Sequence, residues 1–366
     1  MRSFSSGLCA ALLGLCFTAN GYAQENVLHV YNWSDYIAPE TVANFEKETG
    51  IKVVYDVFDS NELLEAKLLA GNTGFDVVVP SASFLGRQIK AGIFMPLDKS
   101  KLTNYHHLDE GLMRKLQRVD PENAHAVPYL WGTTGLGYNV KAVKARLGED
   151  APVNSWDLFF KPENMAKLKD CGISALDAQS EVLPIALHYL GHDPNSLNEA
   201  DYTEHAAPLL AAARPNITYF HSSQYINDLA NGDICVALGW SGDILQAATR
   251  AAEAGKGVEV AYSLPKEGTV VWFDMLAIPK DAKNVEAAHT FINYLMRPEV
   301  IAEVSNYVSY ANGNLSSKEL VDEAIRQDPN VYPSDEVMDK LFTLAVMPPK
   351  IDRVITRVWT KIKTGL

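Results

Sequence analysis

Residues 74–81 read Gly74-Phe75-Asp76-Val77-Val78-Val79-Pro80-Ser81. A short, nearly continuous apolar run closed by glycine and proline fits a strand buried on both faces, as in a parallel sheet. Working back along the chain, residues 61–69 form an amphipathic helix stopped by Gly71, and residues 51–57 a strand. Before them come a helix over 41–49 ending at Gly50 and a strand Val27-Leu28-His29-Val30-Tyr31. Working forward, a helix covers about 84–91. Strand and helix alternate, so the expected fold class is α/β, with an open, mostly parallel sheet flanked by helices. The pattern restarts after Gly135-Leu136-Gly137-Tyr138-Asn139. Strands are expected near 172–174, 217–220, 234–238, 258–262 and 270–278. Helices are expected near 181–190, 201–212, 223–231 and 284–296. Two α/β lobes without a long linker imply a chain that crosses between them more than once. The carboxyl edges of two such sheets, facing each other, make a cleft.

The chain has 366 residues and a net charge of −13. That length suits two domains with large cores. The acidic balance argues against a nucleic-acid partner, which calls for a basic patch. It favours cationic ligands instead.

Residues 1–23 have the make-up of a secretory signal peptide. Arg2 precedes an apolar stretch over 8–17, and Gly21-Tyr22-Ala23 puts small residues around a cleavage site after Ala23. Removing one arginine and no acid brings the mature charge to −14. Two of the four cysteines leave with this segment, so Cys171 and Cys235 remain in an exported chain. The residues alone leave them open as a disulfide or as two buried thiols. Neither has a histidine at ligand spacing, so no metal and no cofactor are expected.

Enzymatic signatures are missing. Gly239-Trp240-Ser241-Gly242 lacks the spacing of a nucleophile elbow, and Gly135-Leu136-Gly137 lacks the third glycine of a dinucleotide fingerprint. His106-His107 reads as a solvated loop, and His221-Ser222-Ser223 as a helix start with Ser222 or Ser223 as its cap. No catalytic residue and no enzyme activity are expected.

A different chemistry recurs at strand ends, where aromatic residues stand beside acids. Trp33-Ser34-Asp35-Tyr36 follows the first strand, and Trp240-Ser241-Gly242-Asp243 the strand near 234–239. Trp272-Phe273-Asp274 lies within the strand near 270–278. Glu181 opens a helix, and Tyr310 sits at a break after another. An ammonium group leaving water needs carboxylates and acceptors to offset its desolvation. An aromatic face adds roughly 0.5–2 kcal/mol of cation–π attraction. Acids at two ends with aromatic walls between them describe a diamine or longer polyamine.

Tyr31-Asn32-Trp33-Ser34-Asp35-Tyr36-Ile37, Phe75-Asp76-Val77-Val78-Val79-Pro80-Ser81, Tyr219-Phe220-His221-Ser222-Ser223, Asp228-Leu229-Ala230-Asn231-Gly232 and Trp272-Phe273-Asp274 resemble the periplasmic polyamine-binding proteins of bacterial ABC transporters. The resemblance runs from about residue 26 to the C-terminus. It implies a two-lobe periplasmic-binding-protein fold with hinge crossovers near Gly137, Gly255 and Asn306. Residues 24–137 plus 256–305 then form lobe 1, and 138–255 plus 306–366 lobe 2. By the same resemblance Trp33, Tyr36, Trp240 and Trp272 are aromatic walls, and Asp243 and Asp274 hold one ammonium. Ser34, Asp35, Ser81 and Glu181 meet the other end, Tyr310 is a further pocket residue, and Cys171 and Cys235 form a disulfide. The implied partners are a polyamine and an inner-membrane ABC permease, for a monomer in the periplasm. Putrescine receptors of this kind typically carry Phe where Trp272 stands, whereas Ser34, Trp240 and Ala178 look putrescine-like. Putrescine is favoured, with spermidine next. Competing readings are an exported enzyme acting on a cationic substrate and a ligand-dependent partner of a membrane sensor.

Overall fold

The computed structural model of the protein describes residues 27–365, so the expected signal peptide and its cleavage site lie outside the described residues. Among the described residues, ten strands are arranged as two sheets that share one member. The strands are β1 (Val27–Trp33), β2 (Lys52–Phe58), β3 (Val77–Val78), β4 (Ala126–Asn139), β5 (Ile173–Ala175), β6 (Tyr219–Phe220), β7 (Val236–Trp240), β8 (Val260–Ser263), β9 (Val271–Ala277) and β10 (Ala311–Asn312). The first sheet runs β2-β1-β3-β9-β4, with β10 added on β4. Its first three strands are parallel, as the apolar run at 75–79 implies, while β9, β4 and β10 run antiparallel to their neighbours. The second sheet runs β6-β5-β7-β4, with β8 against the far end of β4.

The helices that frame the site are α1 (Pro39–Thr49), α2 (Asn61–Ala70), α3 (Ala82–Lys90), α4 (Gln179–Tyr189), α5 (Tyr225–Asn231), α6 (Ser241–Ala254), α7 (Val285–Leu295), α8 (Pro298–Val308) and α9 (Pro349–Thr364). Local chemistry sets their ends. Ser60 accepts the Leu63 N–H at the start of α2, and glycines in the left-handed region close α1 and α6 at Gly50 and Gly255. Each lobe has its own aromatic core. Phe45 meets Phe291 edge-on in the first lobe, and Trp156, Phe159 and Phe160 pack in the second, all fully buried.

Strand β4 joins the lobes. Thr133 pairs with Val271 in the first sheet, and Thr134, one residue on, pairs with Trp240 in the second. The crossings differ from those expected. The first falls at Thr133–Thr134 rather than Gly137. The return falls after Ser263 rather than at Gly255, because β8 still pairs with β4 in the second sheet. Gly255 is only the left-handed cap of α6. The last crossing follows β10, beyond Asn306, because Ala311 still pairs with Trp131.

Cys171 and Cys235 are joined by a disulfide, with Cα atoms 5.5 Å apart and a sequence separation of 64. It ties the turn before β5 to the start of β7. A crosslink over such a loop constrains the unfolded chain by about 4 kcal/mol. Reduction is therefore expected to lower the melting temperature by several degrees in calorimetry. An unchanged transition would show that the bond adds no such constraint.

Candidate functional site

The carboxyl ends of β1, β2 and β3 face the start of α4 and the end of β7. Between them lies a narrow cavity. Trp33, Ser34, Tyr36, Phe58, Asp59 and Ser81 line it from the first lobe, and Glu181, Ser222, Trp240 and Asp243 from the second. Trp272, Asp274 and Tyr310, on or beside the crossing segments, complete it. Among the described residues, four carboxyl groups line this space and no lysine or arginine does.

Each acid is held by neutral donors. Asp274 accepts from Ser81 Oγ at 2.5 Å and from Tyr36 Oη at 2.8 Å. Asn61 fixes Ser81 through both its backbone N–H and its hydroxyl. Asp243, in the first turn of α6, accepts from Tyr310 Oη at 2.8 Å and from Tyr225 Oη at 2.7 Å. Tyr225 Oη in turn accepts the Trp240 N–H. Glu181 accepts from Thr134 Oγ1 at 2.5 Å and from the Trp240 indole N–H at 3.2 Å. Thr134 is the residue at which β4 changes sheets, so this acid is anchored to the crossing itself.

These hydrogen bonds favour the ionised forms, but burial outweighs them. It pushes Asp243, Asp274 and Glu181 each up to about 7, against the hydrogen bonds that pull them down. The phenols of Tyr36, Tyr225 and Tyr310 are pushed well above their usual value, so they stay protonated and donate.

The aromatic walls form two groups of touching rings. Trp33 and Trp240 meet edge-to-face across the cleft at 5.4 Å, Tyr36 and Tyr310 at 5.1 Å, and Trp272 and Tyr310 at 5.4 Å. Trp33 is fixed by its indole N–H bond to the Val79 carbonyl, whereas the buried Trp272 Nε1 has no protein partner. The Tyr310 ring fits because two neighbours carry no side chain. A Cβ on Gly242 would lie 2.5 Å from that ring, and one on Gly132 would lie 2.9 Å away.

Ten of the eleven residues expected at the site line this one cavity: Trp33, Ser34, Tyr36, Ser81, Glu181, Trp240, Asp243, Trp272, Asp274 and Tyr310. Asp35 does not. Its backbone takes a left-handed φ of 53°, and its carboxylate pairs at 2.5 Å with Arg250 of α6, at the rim. Ser81 also changes ends. It donates to Asp274 and so belongs with the acids expected at the opposite end from it. Phe58, Asp59 and Ser222 were not expected. Phe58-Asp59 is another aromatic–acid pair at a strand end, the same signal that marked the others. Ser222 caps no helix, but accepts the Asp177 N–H. The His221 ring, not a serine, accepts the Ser223 and Gln224 N–H groups before α5, each at 3.1 Å. His106 and His107 lie on an exposed turn, bonded to the Thr103 carbonyl and to Ser316.

The chain matches the family model of bacterial extracellular solute-binding proteins over residues 40–333. It is 60% identical over 364 residues to the putrescine-binding periplasmic protein PotF of Escherichia coli K12, covering 100% of this chain and 98% of that protein. It is 58% identical over 366 residues to the putrescine-binding periplasmic protein SpuD of Pseudomonas aeruginosa, covering 100% of each. Among solved structures, a putative spermidine/putrescine ABC transporter protein from Listeria monocytogenes superposes with a TM-score of 0.83 at 34% identity. That match covers 93% of this chain and 100% of the other. Among the described residues no helix is long and apolar enough to cross a membrane.

Proposed function

The chain belongs to the family of bacterial extracellular solute-binding proteins, and from that premise we propose that it is a periplasmic receptor for polyamines. In this reading it captures the ligand by lobe closure and hands it, as a monomer, to an inner-membrane ABC permease. Its signal peptide is cleaved near Ala23. The observation that carries the reading is a cavity with four carboxyl groups, no facing cation and six aromatic side chains. Buried acids raised toward neutrality are costly to ionise alone, and a ligand bearing several ammonium groups supplies the missing charge. Asp274, Asp243 and the two tyrosines between them suit one ammonium end, and Glu181 with Asp59 suits the other. The aromatic faces cover the methylene chain and add cation–π attraction. The serines that line the cavity are engaged: Ser81 donates to Asp274, Ser34 donates to the Phe58 carbonyl, and Ser222 accepts the Asp177 N–H.

Calorimetric titration of ligand-stripped protein with putrescine, cadaverine, spermidine and spermine tests this. Saturable binding of at least one is expected, and absence of binding by all four overturns the reading. We place putrescine first, on Ser34, Trp240 and Ala178, and spermidine close behind, because Trp272 offers a broader face than Phe to a longer cation. Trp272→Phe is therefore expected to weaken spermidine about three- to tenfold, the scale of one cation–π contact, and putrescine less. Equal losses for both ligands would make Trp272 a packing wall only.

A further inference from the structure

Helix α4 carries Glu181 into the cavity, but its own lobe leaves its N-terminus uncapped. The residue before it is Ala178, which has no side-chain acceptor. The first N–H groups of a helix need partners from outside the helix. Here the Ser180 N–H donates at 3.3 Å to Oε1 of Glu62, which stands on α2 in the opposite lobe. The other carboxylate oxygen, Glu62 Oε2, is enclosed and has no hydrogen-bond partner.

The surroundings of Glu62 make closure costly for its charge. Burial pushes its carboxyl above the usual range, and the Coulomb field of Glu62 in turn raises Glu181. The cation that acts on it is Arg87 of α3, and it is already engaged. It holds Glu65 through two nitrogens, at 2.6 and 2.5 Å, and reaches Asp352 of α9 across the cleft at 3.4 Å. When the lobes part, water reaches Glu62. When they shut, it gives up that water for hydrogen bonds from Ser180 and its own backbone N–H, beside a second acid. An ionised group treated this way opposes the motion unless positive charge arrives nearby.

We infer that Glu62 is a specificity-determining residue that makes lobe closure conditional on the charge the ligand brings to the Glu181 end of the cavity. It acts through Glu181 and the lobe contact, without lining the cavity. A monoamine seated at Asp243 and Asp274 leaves Glu62 and Glu181 uncompensated, whereas a diamine or triamine relieves both. The inference rests on the receptor reading, and it adds a charge-counting step to it.

The test compares wild type, Glu62→Gln and Glu62→Ala, with putrescine and 1-aminobutane as probes. Glu62→Gln keeps the acceptor for Ser180 and removes the charge. Its ratio of putrescine to 1-aminobutane affinity is expected to shrink about tenfold, the equivalent of one lost pKa unit of charge interaction. Its ligand-free radius of gyration in X-ray scattering is expected to fall below that of the ligand-free wild type. Glu62→Ala removes charge and cap together, so its affinity ratio shrinks too, with less compaction. Circular dichroism and melting curves establish that both variants fold. An affinity ratio within about twofold of wild type in both folded variants overturns the inference. So does a ligand-free radius that is unchanged or larger in Glu62→Gln. Wild-type protein that binds no polyamine would instead overturn the receptor reading, because the scattering comparison needs no ligand.

Discussion

Asp274→Asn and Asp243→Asn are each expected to weaken putrescine binding by roughly 2–5 kcal/mol, about thirtyfold to several thousandfold. The geometry explains why a substitution that keeps the shape loses so much. Both oxygens of Asp274 are occupied by donors, Ser81 and Tyr36, and both oxygens of Asp243 by Tyr310 and Tyr225. Each oxygen has a lone pair left for an ammonium. An amide offers one such oxygen instead of two and turns its NH2 toward a hydroxyl that is already donating. It also removes the charge that offsets desolvation of the cation. The same substitutions spare the empty protein a buried carboxyl. Ligand-free melting temperatures are therefore expected to hold or rise while affinity falls. That split separates a lost ligand contact from a damaged fold. Titration calorimetry and thermal melts on the same samples check it. Affinities within about threefold of wild type for both variants would remove these acids from the ligand's charge partners.

Most strands and helices were legible in the sequence because burial and periodicity agree in them. Strand β4 was not, although it holds the molecule together. It contains Pro128, Gly132, Gly135 and Gly137, residues that ordinarily argue against a strand interior. The structure gives the reason for the glycines. A Cβ on Gly135 would lie 2.5 Å from Tyr262 Oη, and one on Gly137 would lie 2.7 Å from Ile244. Close approach of neighbouring side chains, not flexibility, selects glycine there. The first crossing, expected near Gly137, falls a few residues earlier, where the pairing of β4 changes from Val271 to Trp240.

At the site, the pairing of aromatic and acid at strand ends carried the reading. It failed where backbone conformation decides direction. Asp35 sits beside Trp33 and Tyr36 in sequence, yet its left-handed φ turns the carboxylate out to Arg250. Ser81 and Asp274 were expected at different ends of the ligand, and a one-dimensional pattern carries no information on which strand ends meet. The isolated bridge between Ser81 and Asp274, residues 193 apart in the chain, brings them together. Glu62 gave no signal at all, because its partner is a backbone N–H in the other lobe.

The affinity for a diamine is expected to fall steeply as pH drops below about 7, by roughly tenfold per pH unit for each carboxyl that must lose its proton to bind. Asp243, Asp274 and Glu181 are each pushed up to about 7 in the empty cavity, chiefly by burial. A bound dication favours their ionised forms and lowers these values, so binding below pH 7 releases protons and binding well above it does not. The sign for folding is opposite. Carboxyls that titrate near 4 in the unfolded chain and near 7 in the folded one bind more protons when folded. The ligand-free protein therefore loses stability as pH rises from about 4 to about 7, and the full penalty stands above that. Ligand cancels this penalty, so the rise in melting temperature on adding putrescine should grow with pH across the same window. Calorimetry near pH 6 in two buffers of different ionisation enthalpy measures the released protons directly. The three acids interact, so the titration belongs to the group rather than to any one of them. Asp274→Asn removes one member, which should flatten the pH dependence as well as lower the affinity. A wild-type affinity that stays flat from about pH 5 to about pH 8 would mean that the empty cavity already holds its carboxylates ionised.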